Sequence, residues 1–162
     1  MHPTLKQNDS RISLPALGAC ELTSVFTPEL FADVDSNIAA WLPSHVHESE
    51  AVDMVSYQLL EPLDNSELVE AVGGMDTVAE RCCVTPAHIR ALVAECGSDE
   101  AILQRNGYQN LFFVTDPDTQ TVYLLGVVYD PSVTAWVPYI YRLRNLYRAW
   151  SRGNRLFIPE RI

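Results

Sequence analysis

The chain has 162 residues, of which 48% are hydrophobic and 20% charged, and a formal net charge of −10. That composition is ordinary for a globular protein and excludes a disordered, collagenous or disulfide-stapled chain. Its length suits one domain that can bury a core without metal or cross-link.

No apolar run approaches the roughly 20 residues that span a bilayer. The first ten residues lack the charged-then-apolar order of a secretion signal. A cytoplasmic location, no membrane association and four reduced, structural thiols at Cys20, Cys82, Cys83 and Cys96 are the expectation. Charge is spread unevenly: residues 1–130 hold 20 acids against 5 Lys or Arg, while residues 131–162 hold 6 Arg against the single Glu160. An acidic body repels nucleic acid at long range and favours a basic partner. The basic tail binds something acidic or neutralises its own chain.

Residues 1–16 are polar and read as a loose arm, followed by a short strand over 18–26. Thr27-Pro28-Glu29 is a helix start, with Leu30, Phe31, Val34, Ile38, Trp41 and Leu42 at helical spacing until Pro43. His45, His47, Glu48, Glu50 and Asp53 are metal-ligand types. The two histidines share a face only in a strand and no second cluster closes a site, so a solvated loop is the preferred reading and no metal or other cofactor is expected.

Residues 51–60 alternate and predict a strand. Leu111–Thr115 and Thr121–Tyr129, joined by Asp116-Pro117-Asp118-Thr119-Gln120, predict a β-hairpin. Trp136, Ile140, Leu143, Tyr147 and Trp150 form a helical seam, with Arg144, Arg148 and Arg152 on another face. A long C-terminal helix over 134–152 is therefore expected, its arginines paired with the acidic body or presented to a partner, and Gly153-Asn154 capping it.

Between them, residues 67–95 predict three short amphipathic helices, about 66–72, 75–82 and 85–95. Gly73-Gly74 turns the first, and Thr85-Pro86 opens the third. Two helices crossing tightly need a small residue at the contact, supplied by Ala79, and apolar neighbours, supplied by Val78, Val84, Ile89 and Leu92. The segment resembles the helix-turn-helix of Cro-like and LacI-type repressors, in which Val-Ala-Glu, a turn, Val and a Ser or Thr cap recur in this order. The resemblance implies that Thr85, Pro86, Ala87, Arg90 and Ala91 face DNA. The segment departs from the pattern at the turn, where Cys83 stands for the usual glycine, and in having only Arg90 for base contact. The hairpin tip, carrying Asp116 and Asp118, has the wrong charge for a phosphate-binding wing.

A Cys82 or Cys83 nucleophile served by His88 lacks an identifiable orienting residue, and no hydrolase, phosphate-loop or metalloprotease motif occurs. The sequence thus predicts an α+β fold. It comprises one domain over 1–162 with a small antiparallel sheet, a helix-turn-helix-like subdomain at 66–105, a hairpin at 111–129 and a C-terminal helix. The expected function is non-enzymatic binding or regulation, with DNA or a nucleic-acid-handling protein complex as partner and a homodimer as one arrangement. The alternative is an acidic inhibitor or adaptor of the phage or mobile-element anti-defence type, docking on a basic surface. An enzyme with an unrecognised carboxylate or cysteine site ranks third.

Overall fold

Alternation at period two governs more of the chain than the helical period in the computed structural model, which describes residues 3–144 and 149–160. The chain begins with β1 (Leu5–Leu14), β2 (Cys20–Glu21), a 3-10 turn (Leu22–Ser24), α1 (Ser36–Trp41), β3 (His45–Val46) and β4 (Val52–Leu59). β5 (Leu63–Asp64), α2 (Asn65–Ala71) and α3 (Met75–Thr77) follow, the last running into a π-helical turn (Val78–Cys82). The chain then continues through β6 (Cys83–Val84), α4 (Pro86–Cys96), β7 (Asn110–Asp116), β8 (Thr121–Asp130), β9 (Ala135–Arg142), β10 (Ala149–Trp150) and β11 (Arg155–Glu160).

Seven strands form one mixed sheet in the order β1-β4-β11-β7-β8-β9, with β6 also on β7. The pairings make β1, β6, β7, β9 and β11 point one way and β4 and β8 the other. Strand residues alternate between two apolar layers. Phe112, Val114, Leu125, Val127 and Phe157 pack on the face covered by α1 and α4. Leu111, Phe113, Leu124 and Leu156 pack on the opposite face with Leu68, Val78 and Trp150. A sheet buried on both faces explains why its central strands read as nearly continuous apolar runs.

One feature of this sheet positions the site. β11 pairs in parallel with the first half of β7, ending at Phe157 opposite Phe112. From there β6 takes over the same edge, Cys83 opposite Phe113 and Val84 opposite Val114. β11 continues beside β4 alone, with Ile158, Pro159 and Glu160 opposite Val55, Met54 and Asp53. Pro159 brings no N–H to a ladder and suits a strand that has lost a neighbour. The sheet therefore forks at the carboxyl ends of β11 and β6.

The expected small antiparallel sheet with a long C-terminal helix is not what forms. Among the described residues of this stretch, Ala135–Arg142 form β9 and Ala149–Trp150 form β10, and strand β11 follows at Arg155–Glu160. Pro138 lies inside the expected helix, where it removes a hydrogen bond and costs about 3 kcal/mol. In β9 it is accommodated, and Tyr129 and Leu125 find Trp136 and Ile140 as cross-strand partners. The loose arm expected at the N-terminus is largely β1, paired with β4 over seven residue pairs around a bulge between Gln7 and Arg11. The helix start expected at Thr27 falls in a non-helical segment pinned to β9 by Ala32 N–H to Trp136 O and Trp136 N–H to Leu30 O. The helix begins instead at Ser36, where the Asp35 carboxylate accepts the Asn37 amide.

The β4 strand matches the alternation that predicts it, and the β7–β8 hairpin matches the strand-forming residues and turn chemistry that predict it. Phe112 is fully buried and stacks on Phe157 with ring centroids 5.1 Å apart, across the β7–β11 pairing. Phe112→Ala is predicted to lower unfolding free energy by about 3–5 kcal/mol in chemical denaturation. A loss below about 1 kcal/mol would contradict this account of the core.

Candidate functional site

A cleft of about 790 Å³ opens at the fork. Its walls come from the ends of β1 (Ser13, Leu14) and β11 (Pro159, Glu160), the start of β4 with the segment before it (residues 48–53), β6, and Thr85 and His88 at the head of α4. In open α/β sheets such crevices at carboxyl strand ends are where ligands settle. Glu48, Glu50, Asp53 and Glu160 line it, and no Lys or Arg does. Asp53 and Glu160 are cross-strand neighbours on β4 and β11. Asp53 accepts a hydrogen bond from the Ser13 hydroxyl at 2.7 Å. Glu160 pairs with the Arg11 guanidinium at 2.7 Å, an exposed contact.

The α4 end of the cleft is held by local bonds. Thr85 caps the helix, its hydroxyl accepting the His88 amide at 3.1 Å, and Pro86 occupies the first helical position. The Thr85 amide donates to His88 Nδ1 at 3.3 Å, and the Thr85 hydroxyl bonds that of Ser49. His88 Nε2 lies 2.8 Å from the Glu50 carbonyl, which only accepts, so the proton sits on Nε2. Both ring nitrogens are thus committed to backbone partners. The Cys83 thiol donates to the Val78 carbonyl at 3.3 Å. This arrangement positions Glu50 and Thr85.

Beside the cleft, sharing Val84 and Thr85 with it, is a pit of about 130 Å³. Leu42, Pro43, Val46, Pro86 and Pro117 wall it, with His45, His47 and Thr115 completing the lining. The two histidine rings meet edge to face at 5.3 Å, and His45 Nδ1 lies 3.8 Å from Glu21. Among the described residues no three His, Cys, Asp or Glu side chains converge as a metal-binding group.

The residues expected to face DNA are placed differently from one another. The three helical pieces appear near their expected positions, but Ala79 is exposed and Cys83–Val84 is a strand in the sheet. Pro86 and Ala87 are buried, Thr85 is the helix cap, and Ala91 is half-buried beside Leu17, Gly18 and Cys20. The Arg90 guanidinium points back into the protein, donating to the Val25 carbonyl and the Thr27 hydroxyl at 2.7 Å each.

Arg144 and Arg152 are exposed, the first after β9 and the second between β10 and β11, and neither forms an ion pair with another described residue. Arg148 lies outside the described residues. Arg144 and Arg152 lie in no helix, so they do not share a helical face. Arg142, by contrast, sits with its guanidinium 4.4 Å over Trp41, which itself stacks on Tyr123.

The cleft carboxylates were not assembled by sequence reasoning. Glu48, Glu50 and Asp53 were legible only as possible ligands, and nothing in the sequence announces that Glu160 lies beside Asp53. No helix among the described residues is long and apolar enough to cross a membrane. The chain matches no family model, no curated protein and no solved structure.

Arg90→Ala is predicted to cost about 1.5–3 kcal/mol of stability by denaturation, because it strips a half-buried charged donor from two acceptors. No measurable destabilisation would refute that role. Burial, followed by Glu95 and Asp99, pushes the Cys96 thiol above its ordinary range. A thiol reagent at neutral pH is predicted to label half-exposed Cys20 rapidly and Cys96 only on unfolding, because the thiolate is the reactive form. Comparable native rates at the two sites, read by peptide mass spectrometry, would be inconsistent with it.

Proposed function

We propose that this protein is a non-catalytic binding protein that docks a basic surface of a partner protein at the fork cleft, in the manner of an acidic inhibitor or adaptor. The observation that carries this reading is the charge of the cleft: four carboxylates line it and no Lys or Arg does, Arg11 pairing with Glu160 alone. Three of them, Glu48, Glu50 and Asp53, belong to residues 1–130, which hold 20 acids against 5 basic residues. A cleft of one sign focuses the field of the whole body and accelerates encounter with an oppositely charged surface. Proteins that handle nucleic acid are the partner class, because their phosphate-binding lysines and arginines form such surfaces.

Two further observations favour this reading over its rivals. Duplex reading by α4 requires Arg90 to leave Val25 and Thr27. Catalysis by a cysteine requires an imidazole with a nitrogen to spare, and His88 spends both on backbone groups.

The test is fluorescence anisotropy with a labelled oligolysine peptide and a labelled DNA duplex, at low and near-physiological salt. The peptide is expected to bind with an affinity that falls steeply with salt, and the duplex is expected not to bind. The exposed-carboxylate variant Glu48→Gln/Glu50→Gln/Glu160→Gln is expected to bind the peptide at least about fivefold more weakly, since each lost charge pair is worth a few tenths to 1 kcal/mol. An unchanged triple variant, absent peptide binding at low salt, or duplex binding would overturn the proposal.

A further inference from the structure

We infer that the pit beside the cleft is an anchor site for one aliphatic side chain of an extended basic segment of the partner. The structure would then recognise a lysine- or arginine-flanked leucine, isoleucine or methionine rather than positive charge alone. This rests on the docking reading above and adds its specificity.

The pit has the right size and construction for such an anchor. Apolar cavities of about 150 Å³ take up benzene, so about 130 Å³ accommodates one aliphatic side chain. Pro43, Pro86 and Pro117 give it walls with restricted backbone freedom. Val84 is fixed by its pairing in the sheet and Val46 by pairing with Cys20. A preformed pit spends little of the binding energy on ordering itself.

Charge complementarity identifies what accompanies the anchor. Val84 and Thr85 border both cavities, so a side chain in the pit leaves its sequence neighbours over the cleft, where Glu48 and Glu50 stand. An anionic amphiphile would meet those carboxylates unfavourably, whereas a lysine or arginine flanking the anchor meets them favourably. Partners of this kind combine a buried apolar anchor with charged contacts at the rim.

A second copy of this chain fits less well at Arg142, whose neighbours Tyr141 and Leu143 are half-buried against the second core layer.

The experiment compares three labelled peptides on the full-length protein: Lys-Lys-Leu-Lys-Lys, Lys-Lys-Ala-Lys-Lys and Glu-Glu-Leu-Glu-Glu, each flanked by glycines. Anisotropy gives affinities, and amide chemical shifts give the site. The leucine peptide is expected to bind at least about tenfold tighter than the alanine peptide, the gain from burying an aliphatic side chain. Its shifts are expected to centre on Val46, Val84 and Thr115, and the acidic peptide is expected not to bind.

Equal affinity of the two basic peptides would overturn the anchor while leaving the docking reading intact. Failure of both basic peptides would overturn both readings. Leucine-dependent shifts centred elsewhere, binding of the acidic peptide, or self-association of the protein that the leucine peptide does not disrupt would each overturn the anchor as stated. His47→Trp, a rim substitution that narrows the pit, is expected to abolish the leucine preference while leaving the alanine peptide unaffected. Retained preference in that variant would likewise count against the pit.

Discussion

The division of one edge of β7 between two strands is the constraint on which the rest of the structure depends. β11 occupies that edge as far as Phe112 and β6 occupies it from Phe113. A continuous β11 would have closed the sheet, and the end of the sheet would then carry no cleft. Parallel pairing of distant segments lacks the local help of a hairpin, and the start of β11 is instead tied down by a buried polar network. Asn110 donates to the Gln104 and Val127 carbonyls, Gln104 donates to the Gly153 carbonyl, and the Gln109 amide reaches Asn154. The buried Asn110 and Gln104 side-chain amides find these partners only along this chain path, whereas the buried Gln109 Oε1 finds no hydrogen-bond partner.

Legibility in the sequence followed the range of the interactions. The β7–β8 hairpin was readable because its pattern and its turn lie within twenty residues of each other, and Asp116 performs the turn chemistry that its position suggests: its carboxylate accepts the Asp118 amide. The Thr85-Pro86 start of α4 was readable for the same reason, whereas the equally local Asp64–Glu67 capping box that begins α2 was not read.

β1 was not readable. Its polar, half-exposed residues become a strand only because β4 is there to pair with them. The 134–152 segment misled because Trp136 and Ile140, four residues apart, satisfy a helical seam and equally share one face of β9. Pro138 was the local signal that decided between them. The candidate site was the least legible part, because it is made where residues 13, 53, 85 and 160 meet, and only strand register brings them together.

The fork also explains why α4 resembles a recognition helix in sequence while being used as scaffold. A Thr-Pro start, a β-branched residue at the fourth position and a small residue on the facing side are what any short helix needs to begin sharply and pack closely. Here those features dock α4 against the sheet from β6, with Ile89 and Leu92 wholly buried. Arg90 then serves as a tie between the helix and residues 25–27.

In the proposed docking, the cleft and the pit would divide the physical work of recognition. The carboxylates of Glu48, Glu50 and Glu160 are exposed and hydrated, so each contributes little to binding free energy and much to long-range steering, and salt screens what they do contribute. Apolar burial is short-ranged and largely insensitive to salt. A partner that used only the first would associate quickly and let go quickly. One that also filled the pit would be held through its off-rate, the quantity in which affinity differences between related complexes mostly reside. That a protein with 10 net negative charges places its apolar pit beside a cleft lined by four carboxylates is what would couple the two.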